Sequence, residues 1–170
     1  KAATTGRPGP VWIDIPMDVQ GAGCVSIEDA VKRAKRPLIL AGNGINCAKA
    51  REDFKFFVDT TNIPVVTSYN GVDLISSDDR NFVGRVGIKG TRAGNFAMQN
   101  CDLLLVIGCR LPVPVTGYNY KTFAREAEVI VVDIDKDEHS KDTVKIDRFI
   151  HRDAKDFLDL YWFSRSKNDW

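Results

Sequence analysis

Apolar residues recur along the chain as short continuous runs, rich in β-branched side chains, at 11–15, 38–41, 64–67, 103–107 and 129–134, with a weaker run at 144–150. Continuous rather than alternating apolar runs predict strands buried on both faces. Between them the spacing changes to that of a helix. Ile27, Ala30, Val31 and Ala34 fall at i, i+3, i+4 and i+7, behind Ser26 as N-cap with Asp29 three residues on. Over 48–61, Phe54, Phe57, Val58 and Thr61 share one face, while Arg51, Asp53, Lys55 and Asp59 fall elsewhere. Further helices are predicted at 91–100 and 154–162, and within 116–127, where one would pack Phe123 and Ala127 on the sheet. Strands alternating with helices predict an α/β fold: a doubly wound, mainly parallel six-stranded sheet with helices on both faces, Rossmann-like in layout.

Composition narrows the class. The 170 residues are 44% hydrophobic and 28% charged, enough for one good core in an ordinary globular domain. The net charge is +1, from 24 basic and 23 acidic residues spread along the chain, so no field gathers nucleic acid or an anionic membrane. The strongest apolar run, at 103–107, is far shorter than the roughly 18 residues of a spanning helix, and the first residues lack a signal-peptide layout, so the expected setting is cytoplasmic. Cys24, Cys47, Cys101 and Cys109 show no C-x-x-C pair and read as reduced, mostly buried thiols. His139 and His151 lie outside metal-ligand spacing, and no metal site is expected.

Ligands of doubly wound sheets sit beyond the carboxyl ends of the strands. Three exits stand out: G-N-G-I after the 38–41 run, G-C-R after 103–107, and D-I-D closing 129–134. Gly42-Asn43-Gly44 either opens a dinucleotide fingerprint, with Cys47 in place of its third glycine, or makes a tight strand-to-helix turn. Asp133 either binds a ribose hydroxyl or caps the next turn. The glycine-dense stretch at 83–94 puts Gly87, Gly90 and Thr91 just before a helix, where amides, Lys89 and Arg92 would meet an anion; otherwise it is a surface loop. A freestanding NAD(P)-dependent oxidoreductase is one reading of these features.

Taken in order, the pieces resemble a family. G-R-P-G-P-V-W-I-D-I-P-M-D-V-Q is similar to the end of the pyrimidine-binding domain of thiamine-diphosphate enzymes of the acetolactate synthase group. P-L-I-L-A-G-N-G-I, I-P-V-V-T-S, V-G-R-V-G-I-K-G-T, D-L-L-L-V-I-G-C-R, V-D-I-D-K and R-D-A-K resemble their central domain. The resemblance implies residues 1–22 as the tail of a preceding domain, 23–160 as a central nucleotide-binding-like domain, and 161–170 as the start of a linker to a diphosphate-binding domain. It further implies that thiamine diphosphate and Mg2+ serve the parent at sites outside this chain, since no G-D-G occurs here and the activating glutamate would precede Lys1. The chain would then have no catalytic residues and no turnover of its own. Its parent would be a lyase or transferase acting on a 2-oxo acid, and a homodimer or tetramer.

In flavin-containing members the central domain holds FAD; others hold ADP or nothing. The matching positions here are Gly42, Asn43 and Gly44; Gly87, Lys89, Gly90 and Thr91; Gly108 and Arg110; Asp133 and Ile134; Asp153 and Ala154. Two departures stand out. Lys89 replaces the histidine of G-x-H-G-T, and Leu111, Pro112, Val113 and Pro114 stand where an aromatic, two carboxylates and an arginine are expected. Proline supplies neither the charge nor the planar fork with which arginine clamps a carboxylate, so joining two pyruvates is not the expected reaction. A purely architectural domain is the remaining alternative.

Overall fold

The structure, a computed structural model, describes residues 27–159. The run at 11–15, the Ser26 cap, the linker start at 161–170 and the boundaries at 22 and 160 lie outside the described residues. In chain order the elements are α1 (Ile27–Arg33), β1 (Pro37–Ala41), α2 (Gly44–Cys47), α3 (Arg51–Thr61), β2 (Val65–Thr67), β3 (Phe82–Arg85), α4 (Arg92–Asn100), β4 (Leu103–Ile107), α5 (Val113–Thr116), β5 (Glu128–Asp133) and β6 (Arg148–His151). A closing helical segment, α6, covers 154–159.

Among the described residues the strands form one six-stranded sheet in the order β3-β2-β1-β4-β5-β6, every pairing parallel. This is the doubly wound order, and its direction reverses between β1 and β4. Side chains alternate across the sheet. Ile39, Ala41, Leu105, Ile107, Ile130 and Val132 meet α1, α3 and α6 through Ala30, Phe54, Phe57, Val58 and Phe157. Leu38, Leu40, Leu104, Val106, Val129 and Val131 meet the other layer through Met98, Val115 and Phe123. Each large side chain so buried contributes about 1.5–3 kcal/mol. The β1–β4 register is clasped at the opposite end, where the Asp102 carboxylate accepts the N–H groups of Lys35 and Arg36, both at 2.8 Å.

Three expectations need correction. A strand, β3, lies where the sequence reads as a glycine-dense loop. Its F-V-G-R breaks the apolar run, but an edge strand needs only backbone pairing, and β2 supplies it across a register shift at Val65 and Val66. It takes the sixth place in the sheet, the 11–15 run being undescribed. The helix expected over 48–61 begins only at Arg51. Ahead of it a single turn, α2, ends at Cys47, and Lys49 takes φ 55° while the Ala50 N–H reaches back to Ile45 O at 3.0 Å. That kink turns Phe54, Phe57 and Val58 onto the sheet. Finally, 116–127 is not a helix. Gly117 (φ 73°) and Ala124 (φ 41°) leave only a 3-10 turn at Tyr120–Thr122, although Phe123 is buried as expected. The strand expected at 144–150 is present but short, Arg148–His151.

At the switch point two turns cross backbone on backbone. The Gly42 N–H donates to Ile107 O (2.9 Å) and the Gly44 N–H to Gly108 O (2.8 Å). A Cβ on Gly42 would stand 2.1 Å from Gly108 O and 2.5 Å from the Cys109 Cα. Gly42→Ala is therefore expected to cost at least about 3 kcal/mol in chemical denaturation, because backbone must move. Gly117→Ala has open space around it, so its cost is backbone strain alone, about 1–3 kcal/mol, because φ 73° and ψ −177° lie in a region that glycine adopts and other residues avoid. Equal losses would contradict this packing. The thiols supply a second check: burial pushes Cys101 and Cys109 up to about 11, while Cys47 is exposed. At pH 8 a maleimide should modify Cys47 about a hundredfold faster than either buried thiol, read by peptide mass spectrometry.

Candidate functional site

A cavity of about 870 Å³ lies beyond the carboxyl ends of the strands. Exits of five strands reach it: Asn43 and Gly44 after β1, Ser68 and Tyr69 after β2, Lys89 after β3, Gly108 and Arg110 after β4, and Asp133 closing β5. Its volume falls within the range of small-molecule sites, and the switch point is where such sheets place them. Val86, Ile88, Pro112, Pro114 and Val115 give it apolar walls.

The cavity thus gathers Asn43, Gly44, Lys89, Gly108, Arg110 and Asp133 from the sequence-derived set. The others lie outside its lining. Gly42 is buried beneath the turn crossing. Gly87 packs against Pro114, its Cβ position 2.1 Å from Pro114 O. Gly90 packs against the Arg85 backbone, and Thr91 is the N-cap of α4, its hydroxyl accepting the Gly94 N–H at 3.1 Å. Ile134 is exposed; Asp153 caps α6 by accepting the Lys155 N–H at 2.8 Å; Ala154 belongs to the core.

The amides expected to meet an anion ahead of α4 are committed within the protein. The Gly87 N–H donates to Asn95 Oδ1 (2.8 Å), Ile88 to Pro114 O (2.9 Å), Gly90 to Gly87 O (2.9 Å) and Thr91 to Arg85 O (2.9 Å). After β1 the Gly44 N–H is likewise taken by Gly108 O, and α2 is a single turn. Those five amides are therefore taken within the protein, and the charged groups that line the cavity are side chains.

Lys89 extends over the Tyr69 ring, its ammonium 5.4 Å from the centroid. Arg110 donates from Nη2 to Glu138 Oε2 at 2.8 Å, and Glu138 Oε1 receives Lys141 at 2.7 Å. Hydrogen bonds from Lys141 and Arg110 pull the Glu138 carboxyl down to about 2, so it stays charged as pH falls through the ordinary carboxylate range. Asp133 is 7% exposed. Burial pushes its carboxyl up, but His139 and the N–H groups of Asp135 and Ile134 outweigh that and hold it below the ordinary value. The His139 imidazole is 3% exposed, with Nε2 3.4 Å from Asp133 Oδ2 in a geometry short of a hydrogen bond.

Ser68, Tyr69 and Glu138 were not singled out from sequence, and Asp135 entered only as the last residue of the D-I-D exit. Ser68 and Tyr69 directly follow β2, so the strand-exit rule applied to every strand would have found them. Glu138 sits on a 3-10 turn five residues past β5 and carries no such signal. The Leu111–Pro114 departure has a structural counterpart. Leu111 takes φ 49°, Pro112 caps α5, and Pro114 O receives the Ile88 N–H, closing an apolar wall on the β3 exit.

Residues 26–160 match the family described as thiamine pyrophosphate enzyme, central domain. The chain is 38% identical to the probable acetolactate synthase large subunit of Methanocaldococcus jannaschii, over 92% of this chain and 31% of that protein. It is 35% identical to the acetolactate synthase isozyme 2 large subunit of Escherichia coli, over 82% of the chain and 29% of that protein. Against the acetolactate synthase large subunit of Corynebacterium glutamicum the figures are 37%, 82% and 26%. The chain thus spans about a third or less of the length of these relatives. Sheet order, switch-point cavity and sequence agree: the chain belongs to the central-domain family of thiamine pyrophosphate enzymes.

Proposed function

We propose that this chain is the central domain of a larger thiamine-diphosphate enzyme acting on a 2-oxo acid by decarboxylation or carboligation, and that its cavity holds an adenine nucleotide, as ADP or as the ADP half of FAD. The flanking pyrimidine- and diphosphate-binding domains, and a second copy of the parent, are the partners in this reading. The observation that carries it is the polarity of the cavity: a cationic end at Lys89, an ionised acceptor at Asp133, and apolar walls between. Asp133 is suited to accept ribose hydroxyls, Lys89 to neutralise a phosphate, and Pro112, Pro114 and Val86 to face a ring. Thiamine diphosphate with Mg2+, bound elsewhere in the parent, supplies the carbanion chemistry. The free thiols of Cys47, Cys101 and Cys109 support a reducing, cytoplasmic setting. Among the described residues no helix is long and apolar enough to cross a membrane.

A purely architectural role is the second reading, favoured by the glycines that pack on protein backbone rather than opening toward the cavity. The two separate on the purified full-length protein. A yellow preparation with a flavin band near 450 nm (about where oxidised flavins absorb) supports FAD, and calorimetric titration with ADP tests a colourless one. Lys89→Ala is expected to weaken nucleotide binding about tenfold without lowering the thermal midpoint of the unliganded protein, whereas Asp133→Asn should weaken binding and also lower that midpoint, because the fold stabilises the Asp133 carboxylate. A hundredfold excess of nucleotide over its Kd should stabilise the wild type by about 2.7 kcal/mol. Absence of both colour and ADP binding would leave the architectural reading standing.

A further inference from the structure

Arg110 offers the cavity a guanidinium, yet that charge is already engaged. Its side chain is 71% exposed, and its one hydrogen bond among the described residues goes to Glu138. Glu138 is the fixed member of the pair: its side chain is only 14% exposed and both oxygens are committed, one to Arg110 and one to Lys141. A ladder of side-chain caps on backbone N–H groups holds it in place. Asp133 Oδ1 accepts the Asp135 N–H (2.9 Å), and Asp135 Oδ1 accepts the Glu138 N–H (3.0 Å). The last buried residue of β5 therefore sets where the Glu138 carboxylate stands.

Exposed ion pairs of this kind add little stability, so what the pair changes is the availability of Arg110 to a ligand. At the β4–β5 side of the cavity the cation Arg110 faces Asp133, Asp135 and Glu138. Behind the pair, a second cavity of about 170 Å³ shares Arg110 and Glu138 with the first, and Lys141 and His139 line it. Lys89, by contrast, has a ring beneath it and no carboxylate partner among the described residues.

We propose that Glu138 is a resident counter-anion that determines specificity: it occupies Arg110, so the β4–β5 side of the cavity rejects phosphate and accepts hydroxyls, and the ligand's phosphate is received at Lys89. Resting on the nucleotide reading, this orients the ligand with its sugar over Asp133 and its phosphate toward the β3 exit. It also limits the class to nucleotides carrying their anionic charge at one end of the cavity.

The test uses the full-length protein, with inorganic pyrophosphate as probe in low-salt calorimetry. In the wild type, Lys89→Ala should weaken pyrophosphate binding about tenfold while Arg110→Ala changes it less than about twofold. Glu138→Gln should tighten binding about tenfold by freeing Arg110, and the gain should vanish in the Arg110→Ala/Glu138→Gln double variant and shrink as salt is raised. Glu138→Ala should shift affinity in the same direction, and unchanged circular dichroism spectra would confirm folding. A side chain with only a structural role would loosen binding when altered, not tighten it. Arg110→Ala weakening the wild type as much as Lys89→Ala, a neutral Glu138→Gln, or no binding heat in any variant would overturn the proposal. Tighter pyrophosphate binding by Glu138→Gln, together with no binding of ADP or adenosine, would uphold Glu138 as the counter-anion and remove the nucleotide reading instead.

Discussion

The structure depends on one close approach: the turn after β1 and the turn after β4 cross with no side chain between them. Gly42 and Gly44 face Gly108, each positioned so that a Cβ would meet backbone under 3 Å away. Parallel strands diverge into helices on opposite faces at this point, and the crevice between them is set by how close the two exits lie. Because glycine removes the spacer, the Gly44 N–H bonds directly to Gly108 O and the crevice floor becomes backbone alone. The cavity opens above that floor.

Such a floor carries a chemical consequence. Amides that hold the two turns together are not available to a ligand, and the same is true of the turn ahead of α4, where Gly87, Ile88, Gly90 and Thr91 donate to Asn95, Pro114, Gly87 and Arg85. With those amides taken, the charged groups that face the cavity are side chains. Side-chain charges are longer-reaching but easier to neutralise, and here one of the two cations is neutralised by the protein itself. In the proposed nucleotide reading recognition has two separable parts: glycines that fix the shape, and a handful of ionic side chains on the strand exits that decide what fits it.

The part fixed by shape was largely legible in the sequence. Continuous apolar runs at 38–41, 103–107 and 129–134 are central strands, buried on both faces, and nothing else accounts for such runs between amphipathic segments. The edges were not legible. At β3, Gly84 and Arg85 interrupt the apolar signal because an edge strand is held by its ladder to β2, not by burial. The one-residue kink at Lys49 left the helical period of Phe54, Phe57 and Val58 intact, so periodicity ran past the true start of α3. Among site residues, Arg110 and Asp133 were found by following strands to their ends, and Lys89 by the glycine-dense stretch ahead of a helix. Glu138 was not, since its place is set by a ladder of side-chain caps past β5, and those bonds leave no spacing rule in sequence.

The Leu111–Pro114 segment shows how such a site changes while its sheet does not. Proline at 112 and 114 fits because the first turn of α5 needs no N–H there, and Pro114 still offers its carbonyl to Ile88. An apolar wall thus stands where the resemblance leads one to expect charge, yet the wall costs the fold nothing in hydrogen bonds. Leu111 is held in the left-handed region and 8% exposed, so the segment is packed in place rather than loose. With that wall neutral, any selectivity for an anion falls to the ionic groups on either side of it, Lys89 on β3's exit and the Arg110–Glu138 pair beyond β4. The exits differ in which side chain is left unpaired, and that difference gives the cavity its direction.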